Sequence, residues 1–405
     1  MPEAVIVSTA RSPIGRAMKG SLVDIRPDDL AAQMVRAALD KVPGLDPREI
    51  DDLMMGCGQP GGESGFNIGR AVAVELGCDF LPGTTVNRYC SSSLQTTRMA
   101  FHAIKAGEGH AFISAGVETV SRFGKGNADG WPDTKNAVFA DAQTRSEQAA
   151  AGADEWHDPR EDGLLPDVYI AMGQTAENVA LLTGISREDQ DHWGVRSQNR
   201  AEEAINSGFF AREIVPVTLP DGTVVSTDDG PRAGTSYEKI SQLKPVFRPN
   251  GTVTAGNACP LNDGAAALVI VSDTKAKELG LTPLARVVAT GVSGLSPEIM
   301  GLGPIEAVKK ALANAGKSIG DIDLFEINEA FAVQVLGSAR ELGIDEDKLN
   351  VSGGAIALGH PFGMTGARIT ATLLNNLQTY DKTFGVETMC VGGGQGMAMV
   401  IERLA

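Results

Sequence analysis

The sequence lacks the patterns of a metal site or of a disulfide framework. Its 405 residues include five cysteines, an odd and widely scattered set without any CxxC pair. Such spacing favours neither zinc ligation nor structural disulfides, so we expect no bound metal. Reduced thiols in a cytoplasmic compartment fit this set best. The cysteines are Cys57, Cys78, Cys90, Cys259 and Cys390.

Long apolar runs and an excess of basic charge are lacking as well. No stretch approaches the roughly 18 uninterrupted apolar residues of a membrane-spanning helix. Residues 1–7 lead directly into a strand-like segment, without the basic and apolar regions of a secretory signal. Acidic residues outnumber basic ones by 51 to 35, which argues against a nucleic-acid surface. We therefore expect a cytoplasmic protein with neither a membrane span nor a nucleic-acid partner.

Short strand-like segments alternate with helical patterns in the first part of the chain. Apolar and β-branched residues cluster at 5–7, 50–55, 84–86 and 111–117, and a helical pattern follows each of the first three clusters. Alternation of this kind predicts an α/β fold, in which helices pack on the faces of the sheet.

The same order of elements returns late in the chain. Residues 304–312 match the first helical pattern, and residues 322–325 match the strand that follows it. In addition, Gly-Val-Glu-Thr at 385–388 repeats the letters of residues 116–119. Three matches in one order predict two similar halves, each with its own sheet.

The first half contains a long insertion of different character. Residues 121–250 begin with a loop-rich stretch, which is followed by helical patterns at 172–182 and 187–205. Insertions of this length usually form a binding wall, a lid or an assembly surface, but a solvated loop is an equal alternative here. We therefore divide the chain into an N-terminal half, 1–272, which includes the insertion, and a C-terminal half, 273–405.

Cys90 stands where a strand passes into the first turn of a helix. It follows the strand-like segment 84–86 and precedes a helical run that ends at Gly107. The unpaired N–H groups at the start of a helix stabilise a thiolate and lower the pKa of a cysteine. A free cysteine is more often a buried and unreactive residue, so this position alone leaves both interpretations open.

Three further segments place reactive or polar side chains in turns or at strand ends. His360 lies in Gly-His-Pro, and Cys390 is followed after one residue by three glycines that begin at Gly392. Asn328 directly follows a strand-like segment. Glycine turns allow close backbone approach and leave N–H groups free to bind an oxyanion. Taken singly, each segment is equally well explained by a tight turn.

Taken together, these segments resemble the signature segments of the thiolase family. Asn-Arg-Tyr-Cys-Ser-Ser contains Cys90, and Asn-Glu-Ala-Phe begins at Asn328. Gly-His-Pro contains His360, and Cys-Val-Gly-Gly-Gly begins at Cys390. They stand in the family's order and spacing, and the resemblance extends from Val5 to the C-terminus. It implies the thiolase fold, in which two similar βαβαβαββ-type halves stack as α-β-α-β-α layers and the first half carries an inserted loop domain.

The resemblance also implies a role for each signature residue. Cys90 would carry the acyl group, His360 would take its proton, and Cys390 would exchange a proton with the substrate carbon. The backbone N–H groups of Cys90 and Gly392 would form one oxyanion hole. His360 and a water held by Asn328 would form the other.

The resemblance further implies that coenzyme A binds as a co-substrate and that no cofactor is permanently bound. Met172 would lie beside the acyl group, and Ala255 and Cys259 would lie along the pantetheine arm. Arg232 would lie near the CoA nucleotide, although a solvated surface arginine is also plausible. Ala171 stands where acetoacetyl-specific relatives often have histidine, which hints at a roomier acyl site.

The sequence therefore predicts an enzyme, a thiolase-type acyltransferase. It would cleave 3-ketoacyl-CoA with CoA in fatty-acid or related β-oxidation, or run the reverse Claisen condensation. Two alternatives stay open: an acetyltransferase that forms acetoacetyl-CoA, and a non-catalytic subunit that binds CoA or lipid. The family implies a homodimer or homotetramer, with other β-oxidation enzymes as further candidate partners.

Overall fold

The strands of the computed structural model, which describes residues 1–405, form one ten-stranded sheet and a small hairpin. In chain order the strands are β1 Ala4–Arg11, β2 Gly15–Arg16, β3 Asp52–Gly56, β4 Gly83–Val86, β5 Ala111–Thr119, β6 Val217–Thr218, β7 Val224–Val225, β8 Asn262–Ser272, β9 Ala285–Gly294, β10 Leu324–Ile327, β11 Phe384–Val391 and β12 Gln395–Arg403. The sheet order is β10-β11-β12-β9-β1-β8-β5-β3-β4, with β2 beside β8, while β6 and β7 form the hairpin.

The helices alternate with these strands in both parts of the chain. In chain order they are α1 Pro27–Asp40, α2 Ile68–Glu75, α3 Ser92–Ala106, α4 Ala140–Ala150, α5 Met172–Thr183, α6 Arg187–Asn206, α7 Tyr237–Ile240, α8 Asp273–Glu278, α9 Gly303–Ala315, α10 Ala332–Leu342, α11 Ala355–Leu358 and α12 Phe362–Thr379. A 3-10 turn, Tyr89–Ser91, stands between β4 and α3. The predicted α/β class is thus confirmed.

The two halves of the sheet are constructed alike. In the first half β3 pairs in parallel with β5, which pairs antiparallel with β8; in the second half β10, β11 and β12 repeat this arrangement. The aspartates that precede β3 and β10 make equivalent hydrogen bonds. Asp51 accepts backbone N–H groups at the start of β5, and Asp323 accepts them at the start of β11. This shared contact aligns the two halves residue by residue.

The repeated Gly-Val-Glu-Thr letters do not follow that alignment. Asp52 pairs with Phe112 in the first half, and its counterpart Leu324 pairs with Gly385 in the second. Gly385 therefore corresponds to Phe112 and not to Gly116. The two segments lie on equivalent strands but four residues out of register, so this part of the predicted repeat is a coincidence of letters. The match in the order of helix and strand is real.

Two central helices, α3 and α12, lie between the two halves of the sheet. α12 packs against β5 and β8 on one side and against β10 and β11 on the other, and its residues 363–377 are all buried. The apolar faces of α1 and α2 cover the outside of the first half, and those of α9 and α10 cover the outside of the second. These five layers confirm the predicted stacking.

The halves are joined more directly than the sequence predicts. Instead of two separate sheets, β1 and β9 pair through Val5 with Arg286 and through Ile6 with Ala285, which makes one continuous sheet. A register of two residue pairs is too short to leave a pattern of its own in the sequence.

The insertion contains more helix than predicted. The two predicted helices are found as α5 and α6, but residues 140–150, within the stretch described as loop-rich, form α4. Alanine and glutamine favour a helix. Only Ala142 of α4 is buried, so the sequence has no apolar stripe to indicate the helix. None of the helices is both long and apolar enough to cross a bilayer.

The central helices cross very closely near their N-terminal ends. A Cβ atom on Gly366 would lie 2.2 Å from the backbone nitrogen of Leu94. Nearby, the backbone N–H of Ala367 donates to the hydroxyl of Ser93 at 2.9 Å. Because the crossing lies in the first turns of both helices, it brings together the segments that precede them.

Replacing Gly366 by alanine tests this crossing. The added methyl group would meet the backbone of α3, so we expect the free energy of unfolding to fall by about 3 kcal/mol or more, measured by denaturant titration. Gly124→Ala is the control, because a Cβ atom there meets nothing within 4 Å; it should cost less than about 0.5 kcal/mol. Similar small losses in both variants would contradict the close approach.

Candidate active site

Cys90 and His360 stand just before the two central helices. Cys90 lies in the 3-10 turn Tyr89–Ser91 that leads into α3, and His360 precedes the first residue of α12 by two positions. Helix α12 packs against that 3-10 turn. The helix crossing therefore places both predicted residues in one region.

A cavity of about 540 Å³ opens beside Cys90, a volume typical of small-molecule sites. Met172 at the start of α5, Phe362 at the start of α12 and Gly392 after β11 contribute to its wall. The other lining residues are Gln59, Tyr89, Ala128, Asp129, Thr134, Lys135, Val168, Tyr169, Ile170 and Gly393. The cavity thus lies between the central helices and the insertion.

Two further cysteines belong to the same region as Cys90. Cys390 is completely buried near the end of β11. Burial raises the pKa of its thiol, and the nearby Cys90 and Cys259 raise it further. Burial also raises the pKa of Cys259, with a smaller effect of Cys90. The three sulfur atoms therefore form one cluster.

The Cys90 thiol is less acidic than the sequence predicts. Burial raises its pKa to about 11, although hydrogen bonds from the backbone N–H groups of Gly392 and of Cys90 itself lower it. The expected lowering at a helix start is thus present but is outweighed by the loss of water. Cys90 is a neutral thiol at neutral pH, so it needs a base before it can attack.

His360 has the charge state and tautomer of such a base. Burial lowers its pKa to about 3, and the positive charge of Arg368 lowers it further. Its Nδ1 lies 2.7 Å from the hydroxyl of Thr365, which donates its own proton to the carbonyl oxygen of Pro361. The hydroxyl must therefore accept a hydrogen bond from Nδ1–H, which leaves Nε2 unprotonated.

Asn328 lies next to that free nitrogen. Its Nδ2 is 3.3 Å from Nε2 of His360. Its backbone N–H donates to the carbonyl oxygen of Thr388, two residues before Cys390. Its Oδ1 is buried and accepts no hydrogen bond from the protein. Asn328 thus links His360, through its side chain, to the strand that carries Cys390, through its backbone. Its side-chain oxygen stays available as a hydrogen-bond acceptor.

The residues predicted to contact coenzyme A are divided between two places. Met172 lines the cavity, and Cys259, whose N–H donates to the carbonyl oxygen of Ala330, belongs to the sulfur cluster. Arg232 and Ala255 are exposed and do not line the cavity. Burial of part of its side chain lowers the pKa of Arg232, and the neighbouring Arg16 lowers it further. A basic pair therefore stands outside the cavity.

Glu118 is a further residue near Cys90 that the sequence motifs do not predict. Its carboxylate is fully buried near the end of β5 and accepts the backbone N–H groups of Gly58 at 2.7 Å and Gly363 at 2.9 Å. These bonds tie the loop after β3 to the first turn of α12. Burial raises the pKa of Glu118 to about 7, and its negative charge adds to the raised pKa of Cys90.

A sequence signal for Glu118 was available. It is the one charged residue of the otherwise apolar or neutral strand β5, and a buried carboxylate needs hydrogen-bond donors. Thr365 was missed too, although it stands five positions after His360. Its role depends on the turn before α12, which the residue types alone do not predict.

Known proteins resemble this chain over its whole length. The family model for the thiolase N-terminal domain matches residues 4–274, and that for the C-terminal domain matches residues 281–403. A 3-ketoacyl-CoA thiolase of Bacillus subtilis is 43% identical over 99% of this chain and 100% of that protein. A β-ketoadipyl-CoA thiolase of Acinetobacter baylyi is 42% identical, with 100% of both chains covered.

Solved structures of thiolase-type enzymes are similar to this chain as well. Human mitochondrial 3-ketoacyl-CoA thiolase in complex with CoA has a TM-score of 0.85 at 35% identity, covering 100% of this chain and 98% of the other. The acetyl-CoA acetyltransferase of Bacillus anthracis has a TM-score of 0.86 at 39% identity, covering 100% and 99%.

Cys90 lines the cavity, whereas His360 and Cys390 do not; this arrangement in a five-layered α/β fold is compatible with an enzyme that transfers acyl groups through thioesters. With both family models matched, this chain belongs to the thiolase family. It is an acyltransferase, and coenzyme A is its co-substrate. The predicted family, fold and enzyme class are confirmed. No cluster of His, Cys, Asp and Glu that could hold a metal ion is present.

Replacing Glu118 by glutamine should make Cys90 more acidic. Removing the negative charge removes one cause of the raised pKa of Cys90, so alkylation of Cys90 by iodoacetamide should begin at lower pH. The difference from the wild type should appear only above about pH 7, where Glu118 is ionised. Peptide mass spectrometry measures alkylation of Cys90 separately from the other cysteines.

Glu387→Gln is the matched control for that experiment. Glu387 is a buried carboxylate on the equivalent strand β11, but it does not act on the pKa of Cys90. Its replacement should leave the pH dependence of Cys90 alkylation unchanged. A shift of equal size in both variants, or none in Glu118→Gln, would contradict a specific influence of Glu118.

Proposed function

We propose that this thiolase cleaves 3-ketoacyl-CoA with CoA, through an acyl thioester on Cys90, to give acetyl-CoA and a shortened acyl-CoA. The proposal is supported by the neutral thiol of Cys90, by the second buried thiol of Cys390 close to it, and by the unprotonated Nε2 of His360 just before the helix that packs on the Cys90 turn. The names of the Bacillus and human relatives support the substrate class. Fatty-acid or related β-oxidation is the proposed setting.

Acylation begins with transfer of a proton from Cys90 to Nε2 of His360. The sulfur attacks the ketone carbon of the substrate and forms the new S–C bond. The backbone N–H groups of Cys90 and Gly392 stabilise the resulting alkoxide, each by about 3 kcal/mol if they resemble other oxyanion-hole donors. The same N–H groups act on the sulfur of Cys90 in this structure.

Cleavage follows when the alkoxide collapses and the carbon–carbon bond between C2 and C3 breaks. The electron pair of that bond passes into the enolate of acetyl-CoA. His360, now protonated, and a donor held by Asn328 stabilise the enolate oxygen. The thiol of Cys390 gives its proton to the enolate carbon. Acetyl-CoA leaves, and Cys90 keeps the shortened acyl group.

Thiolysis completes the cycle. The Cys390 thiolate takes the proton of the incoming CoA thiol, and the CoA sulfur attacks the acyl carbon on Cys90. The released Cys90 thiolate recovers its proton from His360. All three side chains return to their initial protonation states, and the reverse sequence is a Claisen condensation.

We also propose acyl groups longer than that of acetoacetyl-CoA. Val168, Ile170 and Phe362 give the cavity beside Cys90 an apolar lining, and its volume is about 540 Å³. The position before Met172 is occupied by alanine, which takes up little space. The acetoacetyl-CoA-forming acetyltransferase is the alternative, and the ratio of rates on acetoacetyl-CoA and 3-oxohexanoyl-CoA distinguishes the two.

We further propose a cytoplasmic homo-oligomer, dimer or tetramer, in which β4 lies at a subunit interface. β4 is the last strand of the sheet, so one of its edges is unpaired. Nearby, Phe66 is 99% exposed and Val74 on α2 is half exposed. An open strand edge beside exposed apolar side chains favours association. Other β-oxidation enzymes remain candidate partners.

For the domain division we propose residues 1–272 and 273–405, with residues 121–250 as a loop domain in the first. The end of β8 at Ser272 and the separate matches of the two family models on either side support this boundary.

The acyl intermediate is directly testable. Incubation with 3-oxohexanoyl-CoA in the absence of free CoA should leave a butanoyl group on Cys90, detected by peptide mass spectrometry. Cys90→Ala should abolish the adduct, whereas Cys78→Ala, which removes a thiol outside the sulfur cluster, should leave it unchanged. An adduct on another cysteine, or none with active enzyme, would refute the assignment of Cys90.

The role of Cys390 predicts a separation of two steps. Cys390→Ala should slow carbon–carbon cleavage about 10²- to 10⁴-fold, the usual contribution of a general acid. Acylation of Cys90 by butanoyl-CoA needs no proton on carbon, so it should fall less than about tenfold. Both steps are measured in single-turnover experiments, and equal losses would argue against a proton donor to carbon.

A further inference from the structure

One cation lines the cavity beside Cys90. Lys135 is the only lysine or arginine among the lining residues, and it is an exposed residue. The lysines that form ion pairs are Lys105, Lys275 and Lys309. Lys135 therefore has no carboxylate partner within the chain.

An aromatic ring holds this cation at the cavity wall. The Nζ of Lys135 lies 5.6 Å from the centroid of the Tyr169 ring, within the range of a cation–π contact. The Tyr169 hydroxyl accepts the backbone N–H of Asn136 at 3.0 Å, and its ring packs edge-on against Phe139 at 5.5 Å. A fixed aromatic face thus orients Lys135 without neutralising its charge.

The cavity also contains one carboxylate, that of Asp129, but it has its own hydrogen-bond donors. Nε2 of Gln59 donates to it at 2.6 Å, and the hydroxyl of Tyr89 is bonded to it as well. These two donors hold Asp129 on the wall formed by Gln59 and Tyr89. The lysine ion pairs of the chain involve neither Asp129 nor Lys135, so Lys135 can bind an anionic ligand group.

The basic residues near the expected CoA nucleotide lie elsewhere. Arg16 and Arg232 stand outside the cavity, so the proposed phosphate contacts do not require Lys135. The rest of the cavity wall includes Val168, Ile170 and Phe362, which suit a methylene chain. Cys90, this apolar wall and a single positive charge therefore line the same cavity.

We propose that Lys135 binds a carboxylate at the far end of the acyl chain, so that 3-ketoacyl-CoA thioesters of dicarboxylic acids are preferred substrates. The inference rests on the proposed function, because it concerns the acyl group that Cys90 carries. It assigns Lys135 to recognition of the chain end and not to the chemical steps.

The test compares two substrates of equal chain length, 3-oxoadipyl-CoA with a terminal carboxylate and 3-oxohexanoyl-CoA without one. Lys135→Met should lower kcat/KM about 10- to 100-fold for 3-oxoadipyl-CoA, a usual range for loss of a charged hydrogen bond. It should change kcat/KM for 3-oxohexanoyl-CoA less than about twofold. Lys135→Arg should keep most of the preference, because it keeps the charge.

Lys125→Met is the matched control, because Lys125 is an exposed lysine of the same insertion that does not line the cavity. It should leave both substrates unaffected. Equal losses of kcat/KM on both substrates in Lys135→Met would assign the cation to the CoA phosphates and overturn the proposal. An unchanged kcat/KM on both substrates would overturn it as well. If the wild type cleaves neither substrate, both the proposed function and the Lys135 subsite are refuted. If it cleaves 3-oxohexanoyl-CoA, the proposed function stands and the comparison tests only the Lys135 subsite.

Discussion

The close crossing of α3 and α12 is the constraint on which the site depends. The backbones approach at Gly366 and Leu94 so closely that no side chain fits between them. Because Cys90 and His360 stand immediately before these helices, the crossing lies at the proposed reactive centre. The two halves of the sheet enclose the crossing from both sides, so the proposed reactive groups next to it are shielded from water.

Burial acts in opposite directions on the two partners. It raises the pKa of Cys90 to about 11 and lowers that of His360 to about 3, so both groups are neutral at neutral pH. In the proposed mechanism, transfer of a proton from Cys90 to His360 becomes favourable only when a substrate supplies a developing oxyanion for the N–H group of Gly392. Glu118 reinforces this balance, because its carboxylate opposes a resting thiolate on Cys90.

Local patterns were sufficient to predict the α/β class and the segments around Cys90, His360 and Cys390, because strand–helix alternation and glycine turns are visible in short stretches of sequence. The acidity of Cys90 was not predictable in this way, since burial depends on the whole fold. Glu118 acts through Gly363, which is 245 positions away. The out-of-register Gly-Val-Glu-Thr segments show the converse, that identical letters need not occupy equivalent positions.

The most direct measurement of the central claim is a crystal structure of the protein after brief exposure to acetyl-CoA. The account predicts an acetyl group on Cys90, its carbonyl oxygen within hydrogen-bond distance of the N–H groups of Cys90 and Gly392, and Nε2 of His360 and the sulfur of Cys390 facing the same thioester. An acetyl group on a different cysteine, or a thioester from which His360 and Cys390 are both turned away, would contradict it.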